Sequence, residues 1–216
     1  LTTMENPMNL AHPVHHAPPV IAISPQHRLA PQVAIAASRA GALGLLDLGL
    51  RTDSGAMLAA VAELVRSAGA TANWGLRCDL FEAAADTLEH LPALIGLQEP
   101  VPVLLLAGAG VGTGALARDV GLARTLARLI YLEARDLSGA RAAQEAGADG
   151  VILKGHEAGG QVNDRSSFML AQECSGALDI PYWIQGGIGI HSAAAVMLSG
   201  AAGVVLGEQL WLAAEA

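Results

Sequence analysis

The residues best suited to chemistry fall in a few glycine-rich stretches. Lys154-Gly-His-Glu-Ala-Gly-Gly-Gln161 places an amine, an imidazole and a carboxylate (Lys154, His156, Glu157) among glycines whose bare backbone can approach a ligand closely. Of twelve basic residues in the chain, Lys154 is the only lysine, so it is not one of many solvated surface lysines. Gln185-Gly-Gly-Ile-Gly-Ile-His-Ser192 and Leu206-Gly-Glu-Gln209 offer backbone N–H groups of the kind that cradle an anion, with Ser192 as a candidate helix N-cap. Glu208 sits awkwardly there, because a carboxylate repels a phosphate dianion unless its side chain turns away. A fourth stretch, Gly108-Ala-Gly-Val-Gly-Thr-Gly-Ala115, satisfies a dinucleotide fingerprint through Gly110, Gly112 and Ala115, with Glu133 near the spacing of a ribose-binding acid. It lies mid-chain behind other strand–helix units, which argues against a Rossmann reading. Asp47 and Glu133, near strand ends, are candidate acids or bases, although loop solvation explains them as cheaply. His27, Arg28 and His191 read equally well as loop residues.

The elements that must position these residues show a regular rhythm. Apolar runs at 20–24, 43–48, 70–75, 101–107, 129–133, 150–154, 181–185 and 203–207 predict strands. Segments of helical period at 31–40, 55–68, 83–94, 114–128, 138–146, 167–177 and 192–198 separate them. Such alternation predicts βαβ units and a parallel sheet, and eight strands is the number that closes a barrel. An internal repeat supports closure: Ala40-Gly-Ala-Leu-Gly, Ala146-Gly-Ala-Asp-Gly and Ser199-Gly-Ala-Ala-Gly start at offsets in a two-to-one ratio. Each copy reads as a helix ending on glycine, followed closely by a buried strand. The expected fold is therefore a compact α/β (β/α)8 TIM barrel over residues 20–216, with its last helix cut short and no lid segment after it. In such a barrel the chemistry collects at the C-terminal ends of the strands, where the stretches above fall.

Composition narrows the function classes. A net charge of −8 argues against binding nucleic acid, and every apolar run is interrupted before it could cross a membrane. Cys78 and Cys174 fit no metal spacing and suggest reduced thiols in a cytoplasmic setting. No Gly-x-Ser-x-Gly elbow is present. Residues 1–19, with four prolines and three histidines (His12, His15, His16), read as a flexible linker or appended segment rather than a metal site.

The run from Lys154 to Gly160, then Gly186-Gly-Ile188 and Gly200-Ala-Ala-Gly-Val-Val-Leu-Gly207, resembles the nitronate monooxygenase (2-nitropropane dioxygenase) family. FMN-dependent enoyl reductases of fatty-acid synthesis share that family's barrel. The Gly155–Gly160 run with Trp183-Ile-Gln-Gly-Gly-Ile-Gly-Ile-His191 is similar, more narrowly, to barrels embedded in polyketide and polyunsaturated-fatty-acid-type synthases. The resemblance implies an FMN-binding oxidoreductase domain, with NADPH as a reductant. Its substrate would be a nitronate-like small molecule or an acyl thioester, and its partners the other domains of a synthase chain or a second copy in a homodimer. Gly186, Gly187 and Gly207 would hold the phosphate, while Gly159 and Gly160 would pass near the isoalloxazine. Ser24 and Gln185 complete the expected cofactor set. Lys154 at the tip of strand 6 would face the ring and favour its anionic reduced form.

The chain departs from that pattern in three places, one being the expected lack of the C-terminal helical segment that covers the flavin. The catalytic histidine expected after the paired glycines is Gln161, which can orient an oxygen but cannot exchange a proton near neutral pH. His156, five residues earlier, is the expected substitute, so His156, Lys154 and Gln161 form the candidate catalytic set. Glu208 replaces a small hydroxyl residue beside the phosphate. These departures leave open a second reading, a catalytically degenerate barrel that serves as a docking or dimerisation module.

Overall fold

Runs such as Val20-Ile-Ala-Ile23 and Gly150-Val-Ile-Leu-Lys154 are apolar on both faces, the pattern of parallel strands covered by helices outside and packed side chains within. The computed structural model describes residues 17–26, 28–49, 53–68, 73–80, 84–96, 98–108 and 113–216. His12, His15 and His16, His27, and the fingerprint residues Gly110 and Gly112 lie outside them. Eight strands alternate with helices: β1 (Val20–Ile23), α1 (Pro31–Arg39), β2 (Leu43–Asp47), α2 (Ser54–Ala68), β3 (Trp74–Asp79), α3 (Ala84–Ile95), β4 (Val101–Ala107) and α4 (Thr113–Ala123). Then come β5 (Ala127–Ala134), α5 (Leu137–Glu145), β6 (Gly150–Lys154), α6 (Ser167–Cys174), β7 (Tyr182–Gln185), α7 (Ile190–Leu198) and β8 (Gly203–Leu206). A 3-10 turn at Glu208–Leu212 follows β8. All neighbours pair in parallel, and Ile21 lies opposite both Leu43 and Val205, which closes the barrel.

The repeat read from the sequence has a mechanical basis. Its first glycines, Gly41, Gly147 and Gly200, all have positive φ (85°, 87° and 103°), so each ends a helix in a conformation that side chains disfavour. Its second glycines, Gly44, Gly150 and Gly203, open strands where a Cβ has no room. A Cβ on Gly44 would strike the Ala34 backbone, and one on Gly203 the Pro19 backbone. One on Gly150 would lie 2.7 Å from the Trp183 ring.

Two apolar layers result. The barrel interior holds Ile21, Ile23, Leu43, Leu45, Val103, Leu105, Tyr131, Ile152, Trp183 and Val205, with the Tyr131 and Trp183 rings 4.8 Å apart. A larger layer between strands and helices includes Leu46, Leu76, Leu104, Leu153 and Ile184. Pro18 and Pro19 close the floor: the Trp183 indole N–H donates to the Pro18 carbonyl (2.7 Å) and the Val204 N–H to the Pro19 carbonyl (3.0 Å).

Several element bounds differ from those expected. β3 runs Trp74–Asp79 instead of ending at Gly75, because Arg77 and Asp79 neutralise one another within the barrel instead of marking a loop. α4 stops at Ala123, and β5 already starts at Ala127; the Arg124 guanidinium bonds the Gly147 carbonyl (2.6 Å), fixing the turn between them. α7 begins at Ile190 with Gly189 as its N-cap, so Ser192 is the third helical residue and its hydroxyl accepts from the Gly189 N–H (2.8 Å).

Candidate functional site

Strand alternation sends every second residue inward. In β2, β3, β5, β6 and β7 the inward series turns polar near its end, at Asp47, Arg77, Glu133, Lys154 and Gln185. These five sit near the C-terminal ends of their strands, and all but Glu133 are at most 5% exposed. They form a polar storey above the apolar interior. Register fixes the neighbours directly, since Asp47 pairs with Arg77 across β2–β3 and Lys154 with Gln185 across β6–β7.

Arg77 is the hub. Its Nη1 lies 2.6 Å from Asp47 Oδ2, its Nη2 3.0 Å from Asp79 Oδ1, and its Nε 2.8 Å from Glu133 Oε1. The other Glu133 oxygen is 3.3 Å from Lys154 Nζ. One guanidinium and one ammonium thus hold three carboxylates in a continuous network, the arrangement that makes buried charge tolerable. Burial pushes the Asp47 carboxyl above its ordinary value, with Arg77 pulling the other way. Burial also opposes the charge on Arg77, but Glu133, Asp47 and Asp79 overcome it and hold the proton more tightly than usual.

Two cavities adjoin this storey. One of about 150 Å³ is lined by Ile23, Ser24, Arg77, Glu133 and Gln185, and by Gly159, Gly207 and Glu208 at its rim. A second of about 280 Å³, toward α5, is lined by Glu133, Arg135, Ser138, Lys154 and Gln161 among others. The expected residues therefore divide. Ser24, Gly159, Gln185 and Gly207 share the first cavity, while Lys154 and Gln161 face the second, with Glu133 between the two.

The loops reveal how this end is held. The Ser24 hydroxyl accepts from the Asp47 N–H (2.9 Å), tying β1 to β2. After β6, the Glu157 carboxylate accepts from the Ser167 N–H (2.9 Å), and the Ser167 hydroxyl lies 2.7 Å from the Gly186 carbonyl. Burial acts to raise the Glu157 pKa, but these bonds win and lower it. Gly186 and Gly187 have φ of 122° and 60°, and a Cβ on Gly186 would press on Ser167 Oγ at 2.7 Å. A Cβ on Gly160 would lie 3.3 Å from Lys154 Nζ. His156 is turned outward, its side chain 53% exposed, while Gln161 is exposed on the rim. Gln185 Oε1 is buried and has no hydrogen-bond partner among the described residues. Among the described residues no cluster of His, Cys, Asp and Glu could hold a metal ion, and no described helix is long and apolar enough to cross a membrane.

Arg77 is the residue that sequence reasoning missed. Its signal was the alternation Gly75-x-Arg77-x-Asp79, in phase with Leu43-x-Leu45-x-Asp47 and Leu129-x-Tyr131-x-Glu133.

No protein-family model and no curated protein matches the chain. Solved structures do. FabK from Thermotoga maritima matches with a TM-score of 0.75 at 26% identity, over 91% of this chain and 60% of its own. A nitroalkane oxidase from Streptomyces ansochromogenes matches with a TM-score of 0.68 at 26% identity, over 89% of this chain and 65% of its own. The enoyl reductase domain of MlnA, from the macrolactin biosynthesis cluster of Bacillus amyloliquefaciens, shares the fold (TM-score 0.66, 14% identity, 88% of this chain and 53% of its own). The chain spans less than two thirds of each of these proteins. It is, in fold and at 26% identity, similar to the nitronate monooxygenase-like barrels of FabK and nitroalkane oxidase, as its glycine-rich strand ends predict.

Proposed function

We propose that the chain is a flavin-binding barrel domain of oxidoreductase type. The observation that carries this reading is the Gln185 side-chain oxygen, buried at the barrel mouth without a hydrogen-bond partner among the described residues. A buried acceptor left unpaired costs about 1–3 kcal/mol, so a ligand that donates to it gains correspondingly. The imide N–H of an isoalloxazine is such a donor. Similarity to FabK and nitroalkane oxidase supports the same class of ligand.

The residues fit a flavin at the ring end and not at the phosphate end. Gln185 and Ser24 would receive the ring, and Lys154 stands behind Gly160 with its charge shared by Glu133. At the other end Glu208 presents a carboxylate where the FMN phosphate is expected. When bound, the flavin would carry electrons out of a nitronate-like substrate, or into an enoyl thioester with NADPH as the reductant. The chain's own contribution is narrower: the Gln185 amide orients the ring edge, and Gln161, on the rim beside the second cavity, orients a substrate oxygen. A place within a larger polyketide or polyunsaturated-fatty-acid-type synthase rests on the sequence resemblance.

The docking-module reading draws on a different observation. Among the described residues no histidine faces either cavity, and α7 leaves Ile190 and Leu198 85% and 89% exposed. Titration of the purified chain with FMN and riboflavin, followed by visible absorbance and flavin fluorescence, separates the two. Saturable binding that Gln185→Leu weakens at least tenfold supports the flavin reading, and absence of binding by either flavin removes it.

A further inference from the structure

We propose that Glu208 is a built-in competitor for the flavin phosphate, so that the chain accepts a flavin without a phosphate more readily than FMN. This rests on the flavin reading above and concerns the same site.

N–H donors follow the ends of β6, β7 and β8, the groups a phosphate would use. Three of them are already taken by side-chain oxygens of the chain. The Gly159 N–H donates to Glu208 Oε1 (2.8 Å), the Gly207 N–H to Gln209 Oε1 (3.2 Å), and the Gly189 N–H to Ser192 Oγ (2.8 Å). Gln209 is held in turn, because its amide donates to the Ile188 carbonyl (3.0 Å) and so bridges the β7 and β8 loops. The Glu208 carboxylate lies close against the loop: a Cβ on Gly159 would be 2.5 Å from Oε1. The bare backbone at Gly159 is thus filled by an anion that belongs to the chain. Glu208 makes no ion pair among the described residues. A phosphate entering the cradle must displace the carboxylate or share the space with it. Two like charges within a few ångström repel even at the dielectric of water. The ring end of the site is untouched by this conflict, because Gln185 and Ser24 lie on the barrel side of the same cavity.

Glu208 is exposed, so its substitution leaves the barrel intact, which circular dichroism and the melting temperature check. Wild type, Glu208→Gln and Glu208→Ser are each titrated with FMN and with riboflavin by fluorescence. They are also melted with inorganic phosphate, against sodium chloride of equal ionic strength. The glutamine keeps an oxygen for the Gly159 N–H and removes the charge; the serine removes both. The expected result is FMN binding at least roughly tenfold tighter in both variants, the scale of one like charge at close range, and riboflavin binding changed less than about twofold. Phosphate should raise the melting temperature of Glu208→Ser and not that of wild type. If FMN binds wild type tightly and neither substitution tightens it, the Glu208 proposal falls while the flavin reading stands. If no flavin binds any of the three proteins but phosphate stabilises Glu208→Ser, the flavin reading falls and the competitor role stands. If neither flavin nor phosphate acts on any of them, both fall.

Discussion

Replacing Arg77 with methionine tests the polar storey at its hub. The guanidinium contacts Asp47, Asp79 and Glu133 at 2.6, 3.0 and 2.8 Å, and the side-chain exposures of these carboxylates are 0%, 13% and 7%. Methionine fills much of the volume but leaves three carboxylates facing one another with Lys154 as the remaining cation. Breaking a buried pair by removing one partner costs about 3–5 kcal/mol, far above the value of a surface ion pair. In a chain of this size that corresponds to a fall of roughly 6–20 °C in melting temperature. The loss should also depend on pH. Burial already raises the Asp47 pKa, so ionised Asp47 disfavours the fold, and the stability held by its neutral form disappears as pH rises through its folded value. Without Arg77 that folded value climbs further. Arg77→Met should therefore lose more stability at about pH 8 than at about pH 5. Urea unfolding at both pH values, with equal m-values for the two proteins, measures the difference. A loss under about 1 kcal/mol, or one that does not grow with pH, would refute the account of Arg77 as the group that makes this storey tolerable.

Two further outcomes follow from packing and burial. Gly150→Ala should destabilise the fold by about 1–3 kcal/mol, because its methyl group meets Trp183 at 2.7 Å and Tyr131 at 3.2 Å; combining it with Trp183→Leu should recover part of that loss in a double-mutant cycle by urea unfolding. Cys78 and Cys174 are fully buried, and burial pushes their thiols up to about 12 and about 11. Neither should react with a thiol reagent at neutral pH until urea is added, and rapid modification of the native chain would contradict their placement.

The fold was legible because its signals are local. Strand–helix alternation needs only hydrophobic period, and the repeated Ala-Gly-Ala-x-Gly pattern marks a helix stop and a strand start that glycine alone accommodates at Gly41 and Gly44 or Gly147 and Gly150. The site was legible in part. Glycines at 159, 186, 187 and 207 announce close backbone approach without saying what approaches. Arg77 and Asp79 looked like the end of a strand because charge signals solvent when read along the chain. Their burial depends on Asp47, which register sets beside Arg77 on the neighbouring strand β2, and on Glu133, which reaches Arg77 from β5. The direction of His156 was equally hidden, since it follows from the way Glu157 and Ser167 pin the loop after β6. Glu208 was visible as a misfit, but its contact with the Gly159 N–H joins positions far apart in sequence.

The location of Lys154 makes the folded surface unusual. Every cationic side chain outside the barrel is an arginine or a histidine, and the sole ε-amine of the chain is 2% exposed behind Gly160. Enzymes and reagents that acylate or crosslink lysine side chains have no target on the native exterior. The same atom becomes available when the barrel opens. A single lysine side chain, sealed in the closed state and free in the open one, makes acylation at Lys154 a one-site reporter of unfolding.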